Sequence, residues 1–120
     1  MKIWIVSAWL AAIGLVASPA CAQQAGVADD VREGHRLAIL ICSYCHVAAV
    51  DQTDKPLLQP PGPAFASLAR RSDLSADSLR TFLSTTHRDL SRPQGMPNPE
   101  LLDYQVKQVA AYILSLRGKP

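Results

Sequence analysis

Two cysteines and a histidine lie within five residues of this chain, in the run Cys42-Ser43-Tyr44-Cys45-His46. The spacing C-x-x-C-H is typical of a covalent haem attachment site. In such a site each thiol forms a thioether with a haem vinyl group, and the adjacent imidazole reaches the iron. A small domain usually needs a metal, disulfides or a cofactor to supplement a modest core, and a haem would serve this purpose. We therefore predict one covalent haem c, attached through Cys42 and Cys45, with His46 bound to the iron.

Three other roles for the two cysteines stay open at this point. A tetrahedral zinc site would need a second close pair of cysteine or histidine ligands, whereas His35 and His87 stand alone in the sequence. A thioredoxin-like redox pair would begin a helix that follows a strand, but Cys42 and Cys45 come at the end of a helical stretch. A structural disulfide would require an oxidising compartment.

The first residues have the pattern of a secretory signal. Lys2 is followed by an apolar run over 3–17 and by small residues that end in Ala20-Cys21-Ala22, an A-x-A cleavage site. We expect residues 1–22 to be removed and residues 23–120 to form one domain in the periplasm.

Two alternatives to cleavage stay open. The apolar segment is about 20 residues long, enough to anchor the chain in a membrane if it is not cleaved. Cys21 could also carry a lipid, although Ser18 occupies the position where a lipoprotein signal normally has leucine. In either case the chain would contact a membrane only through this segment.

Cleavage would leave few cysteines and little net charge. The chain has three cysteines, and Cys21 would leave with the signal, so that only Cys42 and Cys45 remain. The formal net charge of +2 would fall by one unit with Lys2, and two haem propionates would make the domain slightly negative. Nucleic acid is therefore not an expected partner.

The periodicity predicts an all-α domain. Apolar residues at helical spacing favour helices over about 27–41, 64–71 and 76–85, the last of these with Ser75 as its N-cap. The clearest helix is the last one, which we expect Asp103 to cap, with Asn98 as an earlier possible start, and Gly118 to end. Proline-rich loops occupy 51–63 and 87–99, and no alternating strand pattern occurs. The helices provide an expected apolar shell: Leu37, Ile41, Phe65, Leu68, Leu79, Phe82, Val109 and Ile113.

A second iron ligand is expected opposite His46. Met96 is the predicted one, because it lies in Gly95-Met96-Pro97, where the proline keeps the backbone out of a helix, as a ligand loop requires. His87 is the alternative ligand in the same region, and Met96 would then only fill a gap in the core. His35 lies eleven residues before His46, about 16 Å away along a helix axis, too far to bind the same iron.

Taken together, these motifs resemble the class I c-type cytochromes over nearly all of residues 23–120. The resemblance includes Gly34, the motif 42–46, Gly62-Pro63, Met96-Pro97 and the terminal run 110–113. It implies a cytochrome c-like fold of about four short helices around one covalently bound haem. It also implies that Gly34 lets the first helix cross the last one closely, and that Pro63 offers its carbonyl to His46.

These features lead to an expectation about function. With His46 and Met96 on the two faces of the iron, no position is open for a substrate, which favours one-electron transfer over catalysis. Expected partners are redox proteins, a dehydrogenase as donor and an oxidase or respiratory complex as acceptor. One alternative is a dedicated monohaem subunit of a periplasmic dehydrogenase or oxidase complex. Another is a gas-binding or peroxidatic haem protein, which would require Met96 to leave the iron.

Overall fold

Four helices make up most of the regular structure of the described residues. The structure is a computed structural model, and it describes residues 19–85 and 95–119. The helices are α1 (Pro19–Leu37), α2 (Phe65–Ala69), α3 (Ala76–Ser84) and α4 (Asp103–Ser115), and α1 continues as a π-helical turn, Ala38–Cys42. Within the described ranges no strand occurs, and a single parallel β-bridge joins His46 to Gly62. The predicted all-α fold class is confirmed.

The first and last helices cross in close contact at Gly34. A Cβ atom on Gly34 would lie 1.9 Å from the carbonyl oxygen of Gln108 and 2.8 Å from Cβ of Tyr112. Only glycine therefore permits this helix separation. An ion pair between Lys107 Nζ and Asp30 Oδ2, 2.8 Å apart, joins the same two helices one turn away. The close crossing that the resemblance implied is present.

The core lies between α4 and the three other helices. Val106 and Val109 of α4 are the largest fully buried side chains, and each exposes 1% of its surface. From the expected apolar shell, Leu37, Phe65, Leu79, Val109 and Ile113 are buried, while Ile41 and Leu68 are partly buried against the same cluster. Burial of this size is the main source of stability in a small domain.

Phe82 is where the expected shell is wrong. Its side chain is 48% exposed, and α3 instead buries Leu79 and Leu83. Viewed along a helix axis, two residues four positions apart point in directions that differ by only about 40°. Two residues three positions apart differ by about 60° in the opposite sense. Leu79 and Leu83 form the face of α3 that packs against the core, and Phe82 lies at the edge of that face.

The starts of α2 and α3 follow the sequence closely. Ser75 is the N-cap of α3: its Oγ accepts a hydrogen bond from the Ser78 N–H at 3.1 Å, and Ser78 Oγ accepts one from the Ser75 N–H at 2.8 Å. This reciprocal pair is a capping box that contains serine at both positions. Helix α2 begins at Phe65 with Ala64 as its N-cap, one residue later than the predicted start at 64.

Helix α4 begins after an irregular stretch. Leu102 is its N-cap and Asp103 its first residue, one position earlier than predicted, and the Leu102 N–H donates to Gln105 Oε1 at 2.9 Å. The possible earlier start at Asn98 is wrong, because Glu100 has a φ of 52° and its N–H donates to Asn98 Oδ1. At the other end α4 stops at Ser115, and Gly118 follows with a φ of 71°, a left-handed conformation that suits glycine.

One arginine ties the end of α4 to the region of α2. Arg117 Nε donates to the Ala69 carbonyl at 3.0 Å, and its Nη2 donates to the Leu74 carbonyl. The first bond satisfies a carbonyl oxygen at the end of α2, where intrahelical partners run out, and the second satisfies one in the turn before α3.

In the parts of the chain that the structure describes, no helix is long and apolar enough to cross a membrane. Helix α1 begins at Pro19, before the predicted cleavage site after Ala22. Cleavage of the signal stays a prediction.

Candidate haem site

The C-x-x-C-H run lies at the end of the helical stretch that begins with α1. The π-helical turn ends at Cys42, whose carbonyl accepts hydrogen bonds from the Cys45 N–H at 3.1 Å and the His46 N–H at 2.9 Å. Both bonds close one tight turn, which brings Cys42, Cys45 and His46 together. This arrangement can offer two thiols and one nitrogen to a single planar group.

Both cysteines are half-buried free thiols. Burial raises the pKa of the Cys42 thiol to about 11, with a smaller contribution from the neighbouring Cys45 thiol. A redox-active pair needs the opposite shift, because the thiolate is the attacking species. Across the described ranges, no group of three or more histidine, cysteine or acidic side chains is arranged to hold a metal ion. The raised pKa of Cys42 therefore disfavours the thioredoxin-like alternative.

The imidazole of His46 is oriented by a backbone carbonyl. Its Nδ1 lies 2.8 Å from the carbonyl oxygen of Pro63. Since a carbonyl can only accept, Nδ1 carries the hydrogen, and Nε2 is the nitrogen left with a lone pair for a metal. The hydrogen bond that the resemblance implied is present, and it fixes both the tautomer and the direction of the ring.

Two further residues restrict the position of the His46 ring. A Cβ atom on Gly62 would lie 2.5 Å from Cε1 and 2.7 Å from Nδ1 of this ring, so the glycine allows the backbone to lie directly against it. The ring of Phe65 lies on another side, with its centroid 5.5 Å from that of the imidazole at an angle of 50°. The imidazole is therefore held between the backbone of Gly62 and the ring of Phe65.

Backbone hydrogen bonds join the run to the proline-rich loop. The Gly62 N–H donates to the Cys45 carbonyl at 2.7 Å, and the Phe65 N–H donates to the Val47 carbonyl at 3.0 Å. These two bonds align the backbone around His46 with the backbone of Gly62-Pro63. The loop 51–63 was predicted to lack regular structure, and its last residues take up this fixed position beside the motif.

Gln52 was not identified from the sequence, although its side chain bonds to four backbone atoms of the loop that contains it, residues 43–63, which we call the motif loop. Its Nε2 donates to the carbonyls of Asp54 at 2.7 Å, His46 at 3.3 Å and Ser43 at 3.5 Å, and its Oε1 accepts from the Ala48 N–H at 2.8 Å. No local pattern marks Gln52, because its neighbours Asp51 and Thr53 are equally polar and only the folded loop brings these partners together.

Helices α1 and α4 also contact the motif loop. The Tyr112 hydroxyl donates to the carbonyl of the fully buried Ala48 at 3.2 Å. His35 Nε2 lies 2.8 Å from Asp51 Oδ1, and its ring meets the Tyr112 ring edge-on with centroids 5.1 Å apart. The hydrogen bond with His35 lowers the pKa of Asp51, and burial raises the pKa of Tyr112. His35 therefore lies on the core side of the loop and does not reach the motif itself.

Met96 lies in the irregular backbone that precedes α4, near the start of the described range 95–119. Its side chain is partly buried and packs against the core cluster. The alternative ligand His87 lies outside the described residues.

The helices, the motif turn and the oriented imidazole define a c-type cytochrome, and comparison with curated proteins agrees. The chain belongs to the class I c-type cytochromes, because it shares 37% identity over 108 residues with a member of that family. That relative is cytochrome c-552 from Bradyrhizobium diazoefficiens, and the aligned region covers 90% of this chain and 95% of the relative. No family model and no solved structure matches the chain.

Membership of this family makes the protein an electron carrier with redox partners and one covalently attached haem c. The residues present fit the group. The two thiols of Cys42 and Cys45 project from one turn, and His46 presents a lone pair at Nε2. The backbone at Gly62 leaves room for the imidazole in this orientation.

Proposed function

We propose that this protein is a periplasmic one-electron carrier whose haem c is attached through Cys42 and Cys45 and bound by His46 and Met96. The observation that carries the proposal is the 2.8 Å contact between His46 Nδ1 and the Pro63 carbonyl, which leaves Nε2 for the iron. When bound, the haem supplies the one-electron iron couple. The Nδ1–H bond makes His46 a better electron donor to a metal and prevents the ring from turning.

Met96 is the proposed ligand on the other face. A thioether favours reduced iron and raises the reduction potential. The backbone at Gly95-Met96-Pro97 is irregular, and the partly buried Met96 side chain already lies against the core. A ligand on each face would leave no position for a substrate, which supports electron transfer without catalysis at the iron.

The buried apolar side chains of the domain exclude water from this site. Leu37, Phe65 and Val109 are all buried, and they belong to the one core cluster against which Cys42 and Met96 pack. A dry, close-packed surrounding limits the rearrangement that accompanies a change in charge. This property suits a carrier that exchanges electrons repeatedly.

The proposed contact with redox partners lies beside the motif. Tyr44 exposes 60% and Leu57 77% of its surface, and the N–H groups of Leu57 and Leu58 both donate to the Tyr44 carbonyl, so the backbone of these two leucines lies beside Tyr44. We expect a transient interface of less than about 1,200 Å² in total, as is usual for electron carriers. Because the net charge of the domain is close to zero, steering by charge should be mild.

The axial ligands are tested by the absorption spectrum of the ferric protein. The wild type should show the weak far-red band of ferric iron bound by a thioether, Met96→Leu should lack it, and a His87→Ala variant should retain it. Loss of the band in His87→Ala with retention in Met96→Leu would contradict the assignment.

Export is tested by the N-terminal sequence of the protein recovered from the periplasm. We expect it to begin at Gln23, which the resemblance to a secretory signal supports. A product that retains residues 1–22 in the membrane fraction would contradict the proposed location.

A further inference from the structure

We propose that Gln52 is a positioning residue for His46, which sets the orientation of the imidazole by holding the backbone on its C-terminal side. This inference rests on the proposed role of His46 as an iron ligand. Its basis is the placement of one side-chain amide among four backbone groups of the motif loop.

The backbone of His46 is held from two directions. On its N-terminal side, the His46 N–H donates to the Cys42 carbonyl at 2.9 Å, and the preceding carbonyl of Cys45 accepts from the Gly62 N–H at 2.7 Å. On its C-terminal side, the His46 carbonyl accepts from Gln52 Nε2 at 3.3 Å. Fixing the peptide planes on both sides of a residue fixes its φ and ψ, and with them the direction of its Cα–Cβ bond.

Gln52 is suited to this task because it carries both a donor and an acceptor. Its Oε1 accepts from the Ala48 N–H at 2.8 Å, while its Nε2 has two hydrogens for three carbonyls. One hydrogen suits the Asp54 carbonyl at 2.7 Å, and the other is shared by the carbonyls of His46 and Ser43 at 3.3 and 3.5 Å. The hydrogen bonds of this side chain therefore reach from Ser43, inside the motif, to Ala48, two residues after His46.

The restraints from Pro63, Gly62 and Phe65 act on the ring of His46, and they leave the backbone on its C-terminal side to Gln52. The Pro63 carbonyl fixes where Nδ1 points, and Gly62 and Phe65 limit the space on two sides. The angle of the ring plane about the bond to iron also depends on where the Cα–Cβ bond starts. Without Gln52 the His46 carbonyl and the Ala48 N–H lose the partner that they share. The Cα–Cβ bond of His46 then changes its position.

The chain offers a matched control in Gln59. This glutamine belongs to the same loop, is exposed, and donates from Nε2 to the Pro56 carbonyl at 3.1 Å. Its bond is of the same kind as those of Gln52, but it goes to a carbonyl outside residues 43–48. A leucine in place of Gln59 should therefore disturb the loop without disturbing the histidine.

The experiment records proton NMR spectra of the ferric holoprotein for the wild type, Q52L, Q52N and Q59L, together with their melting temperatures. The strongly shifted resonances of the His46 ring report the angle of the ring plane, which a loss of stability alone does not change. We expect these resonances to move in Q52L and Q52N and to stay at their wild-type positions in Q59L.

The inference would be overturned by wild-type His46 resonances in both Gln52 variants, however much their melting temperatures fall. It would also be overturned if neither variant accumulated as holoprotein while Q59L did, because a positioning role predicts folded proteins with a displaced ring. A wild-type spectrum without shifted His46 resonances would contradict the proposed function itself. The two failures are therefore distinguishable.

Discussion

The α1–α4 pair and the motif loop, residues 43–63, keep their shapes in different ways. The helix pair is regular, and it is held by continuous burial of residues such as Val106 and Val109 and by a close crossing at Gly34. The motif loop has no regular element, and it is held by single hydrogen bonds and by the contact of Gly62 with the His46 ring. This difference indicates that the helix pair provides most of the stability of the domain, whereas the motif loop fixes the orientation of His46.

Each region contains one glycine at which a Cβ atom would push a neighbouring group out of place. Substitutions of these two glycines give the sharpest test of the comparison. At Gly34 the obstacle to a Cβ is the backbone of Gln108, and at Gly62 it is the ring of His46. A change at the first should act on the whole domain, and a change at the second should act on the haem ligand.

The largest effect is expected for Gly34→Ala. The added Cβ would lie 1.9 Å from a backbone oxygen, so the two helices must separate. The strain should outweigh the better helix propensity of alanine and cost about 3 kcal/mol of the free energy of unfolding. Chemical denaturation of the holoprotein measures this loss.

Gly26→Ala is the matched control for that variant. Gly26 lies in the same helix, and a Cβ there would have no atom within 4 Å. We expect no loss of stability from it. Equal stability of the Gly34 and Gly26 variants would show that the helix crossing is not as close as described.

A smaller loss of stability, with a clear change in spectrum, is expected for Gly62→Ala. The Cβ would lie 2.5 Å from Cε1 of His46, and the ring must move away from the Pro63 carbonyl. We expect a cost of about 1–2 kcal/mol and a shifted Soret band in the reduced protein. An unchanged absorption spectrum would contradict the claim that this glycine positions the ligand.

Tyr112→Phe tests the bond between the two regions. The variant keeps the ring against His35 but removes the hydroxyl that donates to the Ala48 carbonyl at 3.2 Å. A buried carbonyl without its partner should cost about 1 kcal/mol. Tyr104→Phe is the control, since Tyr104 is exposed on the same helix, and thermal unfolding of both variants should separate them. Equal melting temperatures would contradict this link.

The smallest effect is expected for Asp51→Asn, and it should depend on pH. The hydrogen bond with His35 holds the pKa of Asp51 below its ordinary value of 3.8. The folded state therefore binds fewer protons than the unfolded state, so the contribution to stability is present above about pH 4 and is lost as the pH falls through the lowered pKa.

Unfolding measured between pH 7 and pH 3 checks this dependence. The wild type should lose more stability over this range than Asp51→Asn, whereas Asp54→Asn, a change in the same loop, should behave as the wild type does. Parallel pH profiles of the wild type and Asp51→Asn would rule out the contribution of this pair.

The helix pair could be predicted from the sequence, and the geometry of the motif loop could not. Helical periodicity and the cap at Ser75 are local signals, and they located the helices to within a few residues, except that α1 extends further towards the N-terminus. The prediction failed for Phe82, because a stripe of apolar residues does not show which of its edges meets the core.

The contacts of the motif loop join residues whose separation in sequence carries no signal. Gln52 follows Ala48 by 4 residues and Tyr112 follows it by 64, and only the folded backbone brings the three together. The contact of Pro63 with His46 could be anticipated through the resemblance, not through any property of the residues themselves.

The most direct test of the account is the mass of the peptide that contains Cys42-Ser43-Tyr44-Cys45-His46, taken from protein made with a working haem maturation system. We predict that this peptide carries one haem, that both thiols are consumed, and that extraction with acidified acetone does not remove the haem. A peptide that carries no haem, with two free thiols or a disulfide between them, would contradict the central claim.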